Sequence, residues 1–101
     1  MNHEKFEIHS RKSRGNLHLR PEGPLDGDAA RELIQVIRNE YDAGGTVFIE
    51  TGAMIAGSLG GGDAFRAQFE SLAPVPPEGL IFKGIKGFDW APQGSRVLVT
   101  G

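Results

Sequence analysis

The stretch DAARELIQVIRNEYDAGGTVFIET, Asp28 to Thr51, changes its hydrophobic period halfway along. Ala30, Leu33, Ile34, Ile37 and Tyr41 recur at three and four residues, with Arg31, Glu32, Gln35, Arg38 and Asn39 outside the stripe. This spacing predicts a helix over 29–41 with one buried face. Gly44 and Gly45 are expected to close it, because glycine takes the left-handed conformation without a Cβ penalty. The following TVFIET, residues 46–51, is β-branched and aromatic and too short for a helix, so it reads as a buried strand.

Upstream, KFEIH and NLHLR alternate, with Phe6 and Ile8 apolar in one and Leu17 and Leu19 in the other. That is the pattern of strands with one buried face, and SRKSRG between them predicts an antiparallel hairpin. PEGPLDGD, residues 21–28, stops the second strand, and Asp26 offers a carboxylate to the free N–H groups of the helix that follows. Downstream, DAFRAQFESL places Phe65, Phe69 and Leu72 on one stripe of a short helix, with Asp63 as its expected cap. Three prolines in APVPPEG break the chain; LIFKG and SRVLVT then read as strands, with one helical turn in GIKGFDWAPQG between them.

The order β-β-α-β-α-β-β predicts an α/β fold. It calls for a mixed, mostly parallel sheet of about five strands with two main helices packed on it. With 101 residues the chain has length for one domain, 1–101, which at this size removes roughly 60–65% of the unfolded chain's surface from water. Apolar residues at 39% and charged residues at 24% are ordinary globular proportions. A formal net charge of −2 gives no general reason to approach nucleic acid or anionic lipid. The absence of cysteine excludes disulfides, thiolate nucleophiles and thiolate metal sites and fits a reducing cytoplasm. No segment approaches the ~20 apolar residues of a bilayer span, and the charged N-terminus has no signal-peptide core.

GSLGGGDAFR, Gly57 to Arg66, holds four glycines and Ser58 ahead of the second helix. A phosphate-binding P-loop would need a lysine and a hydroxyl after its second glycine, where Asp63 and Ala64 stand. The dinucleotide fingerprint fails as well, with Phe65 at the place of its third glycine. What survives is either a tight β-to-α connection or a surface that a partner's backbone approaches closely, formed by Ser58, Gly60, Gly61, Gly62 and Asp63. The helix start after Gly62 leaves a nucleotide or phosphate binder as the alternative function.

His9 and His18 share a face of the hairpin opposite the apolar residues. Neither they nor His3 have carboxylates at a compact ligand spacing, so no metal is implied. Glu50, Asp26 and Asp63 form no matched acid–base pair, and Ser58 with His18 lacks an orienting third group. No cofactor and no catalytic residue are indicated. Among the aromatic residues, Phe65, Phe69 and Phe82 have core spacings, whereas Phe88 and Trp90 lie in a short glycine-bounded loop. If exposed there, they form a contact patch for a partner.

In this order of elements, LHLRPEGPLDGDAARELIQVI and GGTVFIETGAMIAGSLGGG together resemble the STAS domain, named for sulfate transporters and anti-sigma factor antagonists. Gly23-Pro24-Leu25-Asp26 matches the family's Gly-x-Leu-Asp turn opening the first helix. The likeness runs from Phe6 to Leu72. It implies a STAS-like fold and a non-enzymatic regulatory or scaffolding module that docks on another protein through 57–66, with a histidine-kinase-like ATPase of the anti-sigma kind as one such partner.

In the family a phosphorylated serine sits in this loop. Aligned on Glu50, Ser58 falls on the motif's aspartate and Gly60 on its serine. The resemblance then implies either that this regulation is lost or that Ser58 has taken it over. The short GIKGFDWAPQG link and the end at Gly101 imply a reduced member without the family's last two helices.

Overall fold

In a computed structural model, described for residues 6–55, 60–72 and 75–99, strand β1 (Glu7–Ser13) turns back on β2 (Asn16–Pro24) in a hairpin. The turn is only Arg14 and Gly15, with φ of 54° and 82°, so most of the predicted link SRKSRG belongs to β1. Two successive left-handed residues match the right-handed twist of the strands they join.

Helix α1 (Gly27–Glu40) follows, and the Asp26 carboxylate accepts a hydrogen bond from the Ala29 backbone N–H at 2.9 Å, the cap its position predicts. The helix buries Ala30, Leu33, Ile34 and Ile37 of the predicted stripe, together with Ala29, whereas Tyr41 is half-buried. Its end differs from the expectation. Tyr41 already has extended backbone, and Gly44 and Gly45 form a separate turn closed by the Gly45 N–H on the Asp42 carbonyl at 3.0 Å. Gly45 lies directly against the Gly15 carbonyl of the hairpin turn, an approach that a side chain would obstruct.

Strand β3 (Val47–Glu50) runs parallel to β2 and, on its other edge, to β5 (Leu80–Lys83), which in turn pairs parallel with β6 (Arg96–Leu98). A two-residue strand, β4 (Met54–Ile55), extends β2 by pairing with Gly23 and Pro24. Helix α2 (Gly61–Phe69) lies between β4 and β5 in the chain. The sheet is therefore mixed, of six strands in the order β1-β2-β3-β5-β6 with β4 beside β2, and β3 occupies the middle. Parallel pairs dominate and the antiparallel hairpin lies at one edge, as the alternation of elements predicts.

Both helices lie on one face. Leu17, Leu19, Val47, Ile49, Leu80 and Phe82 project from that face into a core shared with the α1 stripe, with Phe65 and Phe69 of α2, and with Leu72, Val75 and Trp90. Phe65 sits at its centre, 6.0 Å from Phe69 and Phe82 and 5.3 Å from Trp90 between ring centroids. The opposite face carries no helix among the described residues. Two 3₁₀ helices, Pro77–Gly79 and Ile85–Asp89, complete the connections; the second is the single turn expected in GIKGFDWAPQG. No helix among the described residues is long and apolar enough to cross a membrane.

Candidate functional site

Three chain segments meet where the parallel strands end: the start of α1, the start of α2 and the 3₁₀ helix after β5. In open α/β sheets the carboxyl ends of the strands are where loops from several elements converge, so this end is the natural place for a site. Asp26 and Gly60 form an isolated antiparallel bridge that joins the two helix starts. The glycines that follow serve this junction. A Cβ on Gly61 would stand 2.5 Å from the Leu25 carbonyl oxygen and 2.9 Å from the Trp90 ring, and one on Gly62 would collide with the Asp89 carbonyl.

Gly61 is buried and Gly62 half-buried, so the close approach they permit is to the chain's own backbone. Of the two readings of the run, a tight connection and an offered surface, Gly61 and Gly62 fit the first. Among the described residues of this loop, Gly60 and Asp63 are exposed. Gly60, at φ 75°, is the N-cap of α2, which leaves Asp63 inside the first turn and not at the cap position. There its carboxylate accepts from the Arg66 guanidinium, which also donates to the Asp89 carbonyl and so ties α2 to the 3₁₀ helix. Ser58 and Gly57 lie outside the described residues.

The aromatic pair predicted as a contact patch divides. Trp90 is 4% exposed and packs on Phe65, so it belongs to the core. Phe88 is 62% exposed. It is accompanied at this end of the sheet by Ile85 at 68% and Ile55 at 43%, two residues that the sequence pattern does not single out. Lys86 ties their loops together, donating to the Met54 carbonyl at 2.6 Å. Around these apolar side chains stand Asp26, Asp63 and Asp89, all exposed. The junction thus presents apolar side chains beside an acidic rim. A signal for Ile85 exists in retrospect: a large aliphatic residue between Gly84 and Lys86, in a segment with space for one turn, has little core to reach.

The three candidate carboxylates are not brought together. Asp26 and Asp63 open their helices at this end, whereas Glu50 projects from the opposite, helix-free face. His9 and His18 are on that face too, as their alternation predicts. His9 Nε2 is 3.1 Å from Glu22, and the His18 ring stacks on Phe48 at 4.9 Å between centroids, 12° from parallel. Partial burial and the nearby positive charges of Arg11 and Lys83 hold the His18 pKa below its ordinary value, with Glu50 opposing them. Among the described residues no three His, Asp or Glu side chains are grouped to hold a metal ion.

No protein-family model matches the chain, and no curated protein aligns with it significantly.

Proposed function

We propose that the chain is a STAS-like, non-enzymatic docking module of the cytoplasm, and that it regulates or scaffolds another protein by presenting the start of α2 together with the 85–89 turn. The observation that carries this reading is the exposure of Phe88, Ile85 and Ile55 beside the Gly60–Asp63 helix start, at the carboxyl ends of the parallel strands. Large apolar side chains concentrated at one place on a small domain are stabilised by a partner that covers them. The acidic rim of Asp26, Asp63 and Asp89 complements a partner with basic residues around an apolar anchor, which raises specificity and encounter rate more than affinity. The Gly23-Pro24-Leu25-Asp26 turn supports the STAS reading, since it opens α1 and bridges to the start of α2.

A kinase-like ATPase of the anti-sigma kind fits this reading as the partner. In its regulated form, phosphorylation of Ser58, two positions before Gly60 in the chain, adds ~−2 charges and weakens docking by repulsion.

The reading is tested by recovering a binding protein from the native host with the tagged chain, then measuring binary affinity with that protein purified. Phe88→Ser and Asp89→Lys alter exposed side chains that make no side-chain hydrogen bond or ion pair among the described residues, and are expected to leave the thermal midpoint nearly unchanged. Each should weaken binding about tenfold or more, as loss of an anchor or of a complementary charge does. Undiminished affinity in both variants would contradict the proposal.

A further inference from the structure

The helix-free face of the sheet carries a second group of chemistry-bearing side chains, away from the end where the helices start. Strand register arranges its side chains in two rows. One row runs Arg11, His18, Phe48, Ile81, Arg96 across five strands; the next runs His9, Arg20, then Glu50, Lys83 and Leu98. These rows hold four cationic side chains, Arg11, Arg96, Arg20 and Lys83, against the single carboxylate of Glu50, in a chain whose net charge is −2. Glu7 and Glu22 form the next row of the same face, so the cations are concentrated in the two central rows and not over the whole face.

Between the strands the rows enclose an open groove of about 440 Å³, lined by His9, Arg11, His18, Arg20, Glu50 and Lys83. That volume falls within the ~300–1,000 Å³ of small-ligand sites. Among the described residues neither Arg11 nor Lys83 has a carboxylate within ion-pair distance, while Arg20 is held by Glu22 at 3.2 Å. Lys83 is nonetheless positioned: its ammonium lies 5.0 Å from the centre of the Phe48 ring, on which His18 also stacks. A cation fixed on an aromatic face keeps its charge available to an anion above the sheet.

We propose that this groove binds a phosphate monoester of a hydroxylated small molecule, with Arg11, Arg20 and Lys83 receiving the phosphate and Glu50 accepting hydrogen bonds from ligand hydroxyls. Guanidinium groups match phosphate oxygens in forked pairs, and charge-assisted bonds of this kind are about twice as strong as neutral ones. Glu50 repels a bare oxyanion, so its presence selects a ligand that brings donors as well as charge. The bound phosphate also reverses the field at His18, where Arg11 and Lys83 now press against protonation.

The test is a titration of the full chain, followed by backbone and histidine NMR signals, with ribose 5-phosphate, inorganic phosphate, ribose and an oligo-glutamate peptide added separately. Ribose 5-phosphate should saturate and shift the amides of Arg11, His18, Glu50 and Lys83, and should raise the His18 pKa; ribose should do neither. Arg11→Gln combined with Lys83→Gln should weaken binding at least tenfold, the scale of losing charge-assisted contacts, with the thermal midpoint unchanged. Glu50→Gln should weaken ribose 5-phosphate binding and strengthen that of inorganic phosphate, a reversal that a merely structural role does not produce. Absence of saturation, shifts confined to Gly60–Ala64, or tighter binding of oligo-glutamate than of the sugar phosphate would each overturn the proposal.

Discussion

Gly61 illustrates how one residue type supports two readings until its neighbours are known. In the sequence the run Gly60-Gly61-Gly62 is compatible with an offered surface and with a tight connection. The distinction depends on Leu25 and Trp90, which are thirty-six and twenty-nine positions away in the chain and invisible to local pattern. With the Leu25 carbonyl 2.5 Å from the place of a Cβ, Gly61→Ala must displace backbone, and overpacking of this kind costs about 1–3 kcal/mol. Gly27, also at a helix start, has nothing within 4 Å, so Gly27→Ala should be neutral or stabilising by about 0.5 kcal/mol. Urea unfolding of the two variants checks both signs.

His18 makes a pH-dependent contribution of definite direction. Its folded-state pKa lies below 6.5, so the unfolded chain takes up its proton first, and stability is lost as pH falls from the unfolded value through the folded one. Above pH 6.5 this contribution is fully present. Replacing His18 with Gln should flatten that part of the stability profile between pH 7 and 5, and an unchanged profile would remove His18 as its source.

At the scale of elements, what was legible is what local chemistry determines. The α1 stripe, the Asp26 cap, the alternation of β1 and β2 and the β-branched run of β3 all follow from period and capping. Asp26→Ala should cost about 1 kcal/mol through loss of its bond to the Ala29 N–H, measured by thermal or urea unfolding. A variant as stable as the parent would show that the cap contributes nothing.

Elements held by pairing alone were not legible. β4 is two residues long and exists because Gly23 and Pro24 of β2 extend beyond β3, and GAMI carries no strand signature. The cap of α2 differs from the expectation for a related reason: Asp63 is a good cap by type, but the bridge between Asp26 and Gly60 starts the helix three residues earlier. Trp90 was misplaced because a short loop does not reveal that α2 leaves space for an indole beneath it.

For the whole molecule, the succession of elements determines a mixed, mostly parallel sheet with two helices packed on it, and that is legible in the chain; that both helices lie on one face is not. The segregation of function-bearing surfaces is not legible either. It arises from register, which places Arg11, His18 and Phe48 in one row, and from three loops meeting at one end of the sheet. The apolar residues there come from two segments, Ile55 from β4 and Ile85 and Phe88 from the 3₁₀ helix after β5, so no single stretch of sequence contains the patch.

The docking claim belongs to this scale, because it concerns which end of the molecule another protein covers. Hydrogen–deuterium exchange on the chain, free and saturated with its purified partner, tests it most directly. Protection on binding should concentrate in residues 60–66 and 84–90. Protection confined to β1 and the open face of the sheet, with those two segments exchanging as in the free chain, would contradict it.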